Sequence, residues 1–183
     1  MRSALILIAV VSASQQSPTD VLQARDAEVR ALLPKPGAPL TPAQREKIEN
    51  VLIRTVDLEA MAKAALGKHW DEQPAAKRKK FMQAFVTRFK RLIGDQIDSY
   101  RQSETQFLPE QKKGDDVIVP TVLVIKGEPT HVDYVMRHER NGWRIVDIVI
   151  DSVSTVENYR SSFSKVIARE GFDALIAKLA KKS

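Results

Sequence analysis

Between positions 143 and 150 the chain places apolar side chains on both faces of a strand. Trp143, Ile145 and Val149 fall on one face by alternation, and Val146, Ile148 and Ile150 on the other. A strand with one solvated face would show a polar residue at every second position. The segment 117–125 repeats the two-sided pattern. Both strands therefore need apolar cover on each side, which in a small soluble protein is a helix or a ligand. The period of two begins at Thr105 and predicts four strands, at about 105–112, 117–125, 130–139 and 143–150. Turn residues separate them at Gly114-Asp115, Gly127-Glu128-Pro129 and Asn141-Gly142, the last a strong hairpin signal. The expected sheet is an antiparallel meander.

Before Thr105 the period is helical. Segment 20–33 carries an apolar stripe, and the prolines at 34, 36 and 39 end it. Thr41-Pro42-Ala43-Gln44 reads as a capped start for a helix reaching about Thr55, and a shorter helix follows at 57–66. The longest helix is expected from about Pro74 to Tyr100. It carries Phe81, Phe85, Phe89, Leu92, Ile93 and Ile97 on one face, with Gly94 marking a bend or a close contact. After the sheet, Ser154-Thr155-Val156-Glu157 reads as a capping box, Gly171 ends that helix, and a last helix is expected at 172–181. Helices, then a curved antiparallel sheet, then helices define an α+β fold.

The length of 183 residues suits one domain with its own core. Met1-Arg2, an apolar run at 4–11 and the small residues Ser12-Ala13-Ser14 read as a secretory signal, too short to span a bilayer. Residues 1–14 are therefore expected to be removed, leaving 15–183 as a soluble domain outside the cytoplasm. The absence of cysteine excludes disulfides, thiolate metal sites, a cysteine nucleophile and the acceptor for an N-terminal lipid anchor. The formal charge of +6 would fall to +5 without Arg2, with 28 basic residues against 23 acidic. That suits attraction to anionic lipid or acidic partners. No nucleic-acid-binding motif accompanies it, so nucleic acid is not an expected partner. The run Lys77-Arg78-Lys79-Lys80 reads as a solvated helix turn or as a docking site for anionic groups.

Three stretches carry a resemblance. The first is Gly142-Trp143-Arg144-Ile145-Val146-Asp147, followed by Val153-Ser154 and Asn158-Tyr159-Arg160. The second is Ala65-Leu66-Gly67-Lys68-His69-Trp70 ahead of a Phe-rich helix, and the third is Gly171-Phe172-Asp173-Ala174-Leu175-Ile176. Together, over about 16–179, they resemble the MlaC, or toluene-tolerance, family of periplasmic phospholipid-binding proteins. Asp151-Ser152 stands where that family often reads Glu-Gly, which would alter the bend of that turn.

Periodicity alone does not separate a sheet sandwiched between helices from a cavity between the sheet and the long helix. The resemblance implies the cavity, with lipid tails inside it. Candidate lining residues are Phe85, Phe89 and Ile93 from the long helix, Val122, Val124, Val135, Ile148 and Ile150 from the strands, and Tyr159 and Phe163 from the helix after the sheet. Plain core packing remains the alternative for each, and a one-residue slip in register would reverse a strand's face. The resemblance further implies a periplasmic carrier of glycerophospholipid, with bound lipid as ligand and no other cofactor. Its implied partners are an outer-membrane lipoprotein–porin complex and an inner-membrane ABC transporter bearing a mammalian-cell-entry domain, in a system that maintains outer-membrane asymmetry. Two tails of roughly sixteen carbons, at about 0.8 kcal/mol per methylene, gain more than about 20 kcal/mol on burial. Transfer between docked partners is therefore expected, rather than release into water.

An enzyme is the competing class. His131 and Asp133 lie two apart on one strand face and could form an acid–base pair, although polar residues on a sheet face are more often solvated. His69 and His138 lack metal-ligand spacing, and neither a nucleophile elbow nor a phosphate-binding glycine loop occurs. A periplasmic adaptor with a solid core is the third reading.

Overall fold

A computed structural model describes residues 16–35 and 38–181; the export signal expected at 1–14 lies outside them. In chain order the elements are α1 (Pro18–Leu32), α2 (Pro42–Thr55), α3 (Leu58–Leu66), the single turn α4 (Lys68–Asp71) and α5 (Ala75–Arg101). The strands β1 (Ser103–Phe107), β2 (Gln111–Lys113), β3 (Asp116–Ile125), β4 (Glu128–Glu139), β5 (Gly142–Ile150) and β6 (Val153–Ser154) follow, then α6 (Thr155–Glu170) and α7 (Phe172–Ala180). Side chains hold the free amides at most of the long helix starts. Ser17 and Thr41 make reciprocal capping boxes with Asp20 and Gln44, each with proline at the start of the helix. Ser154 accepts from the Glu157 amide, but the Glu157 carboxylate pairs with Arg160 instead of turning back to the cap. Gly94 in α5 marks a close approach to α2. The Arg45 guanidinium donates to its carbonyl, and an added Cβ would lie 3.0 Å from the Glu49 carboxylate.

The sheet is antiparallel in the order β1-β3-β4-β5-β6, with β2 also on β3. Among the described residues six strands replace the expected four. The stretch read as one strand at 105–112 is two pieces, β1 and β2, on the same edge of β3. Pro109 has no amide to donate there, and the Leu108 amide turns to the Pro120 carbonyl. The other addition is β6, a two-residue return that pairs Ser154 with Val149 and Val153 with Ile150.

A second correction concerns the faces of β5. Val135 pairs with Asp147 while Met136 pairs with Ile145, so Val146 is an extra residue, a β-bulge. Strict alternation fails across it. Trp143, Ile145, Ile148 and Ile150 share one face, opposite His138, Met136, Tyr134 and Val132, while Asp147 and Val149 take the other. Helices α1, α2 and α5 cover the first face.

Among the described residues three buried clusters hold these layers. Phe81, Phe85, Phe163 and Phe172 pack among α3, α5, α6 and α7, with Phe81 5.7 Å from Phe85 and 5.8 Å from Phe163. Leu22 of α1 meets Val119, Met136 and Ile145 of the sheet. Val29, Ile48, Val51 and Ile97 join α1, α2 and α5. Each such side chain contributes about 1.5–3 kcal/mol on burial.

Asp147 links the bulge to the next helix. Its carboxylate accepts from the Ile148 amide at 2.8 Å, the Val156 amide at 3.0 Å and the Ser154 hydroxyl at 2.5 Å. Two of these partners are at the start of α6, where a negative charge also complements the helix dipole. Replacing Asp147 with alanine should lower unfolding free energy by about 2–3 kcal/mol, and with asparagine by less, in urea denaturation. An unchanged midpoint for the alanine variant would contradict this role.

The turn between β5 and β6 places Asp151 at φ 45° and Ser152 at φ 69°, both left-handed. Aspartate tolerates this region, but serine gains nothing there that glycine would not supply without strain. Ser152→Gly should raise stability by about 0.5–1 kcal/mol, read from the thermal midpoint.

Candidate functional site

Between the covered face of the sheet and the helices lies a cavity of about 150 Å³. Thr105, Phe107, Leu123, Tyr134, Ile145 and Ile148 form its floor, and α1 contributes Leu22, Arg25 and Asp26. Leu52, Thr55 and Val56 close the side at the end of α2, and Phe89, Ile93 and Tyr100 project from α5. Register explains the floor. Thr105 pairs with Leu123 and Tyr134 with Ile148, so their side chains share a face, and the bulge brings Ile145 to that face as well. A larger cleft, about 450 Å³, lies outside between the α2–α3 junction and the β4–β5 turn. Its walls are Val56, Asp57, Leu58, Glu139, Arg140, Asn141 and Arg144, mostly polar and open to solvent, and ill suited to hold apolar chains.

Of the ten residues expected to line a pocket, the structure brings Phe89, Ile93 and Ile148 together around the cavity. Phe85, Tyr159 and Phe163 belong to the adjoining aromatic cluster. Tyr159 lies 5.7 Å from Phe85 and 5.1 Å from Phe163, and burial raises its hydroxyl pKa. Ile150 shares the cavity's face of the sheet but sits at the strand end, 45% exposed. Val122, Val124 and Val135 point to the opposite face, because each is adjacent in its strand to a residue of the cavity's face. His131 and Asp133 lie on that opposite face too, and the His131 amide donates to the Asp151 carboxylate at 3.1 Å. Neither borders the cavity.

Sequence reasoning missed the cavity's polar end. Charged residues on a helix read as solvent-facing, and nothing in the local pattern separates Asp26 from Asp20. Yet Asp26 is the hub of a network. It accepts from the Arg30 guanidinium at 2.8 Å, from the Thr105 hydroxyl at 3.1 Å and from the Tyr100 hydroxyl. Arg30 also donates to the Ser103 carbonyl at 3.1 Å and the Thr105 hydroxyl at 2.9 Å. Burial alone would raise the Asp26 carboxyl pKa, but the hydrogen bonds from Arg30 and Tyr100 and the charge of Arg30 hold it below its ordinary value. Burial and the Asp26 charge push Tyr100 well up. They also push Tyr134 up to about 12. The network ties α1 to the end of α5 and to β1, and so keeps α1 over the cavity.

Such an arrangement, an apolar chamber between an antiparallel sheet and helices with polar groups at one end, defines an α+β binding protein. Comparison with known proteins makes the class specific. A family model described as MlaC protein matches residues 14–181, and the chain belongs to that family. The intermembrane phospholipid transport system binding protein MlaC of Haemophilus influenzae is 22% identical over 145 residues, spanning 76% of this chain and 68% of that protein. The solved structure of a phospholipid-binding protein from Ralstonia solanacearum, in complex with a phospholipid, has the same fold. Its TM-score is 0.68 at 22% identity, covering 89% of this chain and 94% of that one.

The depressed carboxyl of Asp26 has a pH consequence. Its stabilisation is complete above the ordinary value of 3.8 and is lost as pH falls through the lower folded value. Asp26→Asn should therefore be less stable than wild type at pH 7, with the gap narrowing below about pH 4. Parallel denaturation series at pH 7, 5 and 3 would show it; a gap independent of pH would contradict the assignment.

Proposed function

We propose that this protein is a periplasmic carrier that holds a glycerophospholipid by its tails in the cavity between the sheet and α5. It passes the lipid between an outer-membrane lipoprotein–porin complex and an inner-membrane ABC transporter with a mammalian-cell-entry domain, and so maintains outer-membrane asymmetry. The observation that carries the reading is the chamber itself, walled by Leu22, Leu52, Val56, Phe89, Ile93, Phe107, Leu123, Ile145 and Ile148 in a chain of the MlaC family. Membership supports the class of ligand, and so does the phospholipid bound by the Ralstonia solanacearum protein of the same fold. Residues 1–14 serve as the export signal and 15–183 as the carrier domain.

Volume sets a condition on the mechanism. Ligand pockets usually offer about 300–1,000 Å³, against about 150 Å³ here, so the walls must part to admit two acyl chains. The wall best placed to move is α1, whose buried apolar contacts with the sheet centre on Leu22 and whose hold depends on the Asp26 network. No catalytic step is assigned, since His131 and Asp133 face away from the chamber.

A paired substitution tests the site. Ile93→Trp fills the chamber and should reduce phospholipid taken up from vesicles at least tenfold, while Val124→Trp, on the opposite face of the sheet, should leave uptake unchanged. Circular dichroism and thermal midpoints establish that both variants are folded. Equal uptake by a folded Ile93→Trp variant would refute tail binding in this chamber.

A further inference from the structure

The positive charge of this chain is unevenly placed. Residues 63–80 hold six cations, Lys63, Lys68, Lys77, Arg78, Lys79 and Lys80, against two acids, Asp71 and Glu72. That surplus of four is most of the chain's net charge of +6. The segment runs from the end of α3 through α4 into the start of α5. The start of α7 lies at the same end of the helical layer, since Lys77 pairs with Asp173 at 2.8 Å and the Phe81 ring lies 5.7 Å from that of Phe172.

Ion pairing leaves much of this charge uncompensated. Lys63 pairs with Glu59 and Lys77 with Asp173. Lys68, Arg78, Lys79 and Lys80 have no ion-pair partner among the described residues. The acids nearest them in sequence are Asp71 and Glu72, and Glu72 is held by His69 at 2.7 Å. Lys68, Lys79 and Lys80 are exposed. Trp70 joins the patch half-buried, with the Lys63 ammonium 5.5 Å and the Arg78 guanidinium 5.7 Å from its ring centre.

Folding does not account for this arrangement. Helix α5 has no acidic residue in its first turn and no side-chain cap, although a helix start favours acids over cations. At about 100° per residue, the four consecutive cations 77–80 point around the helix rather than along one face. None of them borders either cavity. A folded protein partner would need acids at fixed positions to match them. A layer of mobile anionic headgroups adjusts to cations in any arrangement, and tryptophan too favours the headgroup level of a bilayer.

We propose that the corner between α4 and α5, with Lys68, Trp70, Arg78, Lys79 and Lys80, docks the protein directly on an anionic membrane surface. Each cation brought to such a surface strengthens binding by about fivefold, and salt screens the attraction. The contact is distinct from the chamber and from any docking on protein complexes. It concentrates the protein at a bilayer whether or not the chamber is loaded.

The test sediments the mature full chain with vesicles of phosphatidylcholine, alone or mixed equally with phosphatidylglycerol, and measures protein in the pellet. Wild type should bind the mixed vesicles at least about tenfold more tightly than the neutral ones, and lose most of that binding at high ionic strength. Joint Lys79→Glu and Lys80→Glu substitution should weaken binding to the mixed vesicles by at least about tenfold. Joint Lys112→Glu and Lys113→Glu substitution, on the exposed strand β2, makes the same change in net charge and should bind as wild type does. All four side chains are exposed, so thermal midpoints should match wild type. Equal binding of wild type to both vesicles, full binding by the α5 variant, or an equal loss in the β2 variant would each overturn the proposal. A wild type that takes up phospholipid yet ignores anionic vesicles would overturn membrane docking and leave the carrier reading standing. One that docks on anionic vesicles but takes up no lipid would support the docking surface and overturn the carrier reading.

Discussion

Strand β5 carries one residue more than its partner, and much of the molecule follows from that extra residue. The bulge at Val146 puts Ile145 and Ile148 on the same face of the sheet, where strict alternation would have separated them. Both then belong to the floor of the cavity. The same irregularity turns Asp147 to the other face, where its carboxylate accepts from the Val156 amide and the Ser154 hydroxyl at the start of α6. One local departure from the pleat therefore shapes the chamber and anchors the helix that carries Tyr159 and Phe163. Asp147, three residues after Gly142-Trp143-Arg144, is thus a joint between sheet and helix, not a solvated strand residue.

The chamber shows two kinds of wall. Toward α5 and the aromatic cluster the packing is apolar and extensive, with Phe81 and Phe85 fully enclosed. Toward α1 the closure is polar, a carboxylate and a guanidinium sharing hydroxyl and carbonyl partners across three elements. Dry packing is rigid because a gap of a fraction of an ångström forfeits much of the dispersion attraction. Hydrogen-bonded ion pairs can exchange their partners for water at lower cost, so the polar wall is the one able to open. A lipid whose tails gain more than about 20 kcal/mol on burial does not desorb into water on a useful timescale. A protein of this kind needs a wall that yields when docked against another apolar compartment.

Much of the architecture was legible in the sequence. The two-sided apolar pattern of 117–125 and 143–150 called for apolar cover on both faces of the sheet, and helices α1, α2 and α5 supply it on the face of Ile145 and Ile148; the caps at Thr41 and Ser154 located helix starts to the residue. The aromatic stripe of α5 placed Phe89 and Ile93 correctly beside the sheet. What escaped has physical reasons. Alternation cannot announce a bulge, so Ile145 was assigned away from Ile148. In β3 both parities are apolar, and choosing Val122 and Val124 over Leu123 had no local criterion. Pro109 was a legible signal that 105–112 would break. Asp26 was not legible at all, since its significance lies in partners that come from different elements of the chain.

The central claim is that the chamber holds a phospholipid. It is tested most directly by native mass spectrometry of the mature protein purified without detergent, followed by organic extraction of what it carries. The account predicts a mass increment of one phospholipid per chain, resolving on extraction into ordinary two-tailed lipids. A protein of bare polypeptide mass that also takes up no lipid from phospholipid vesicles would contradict it.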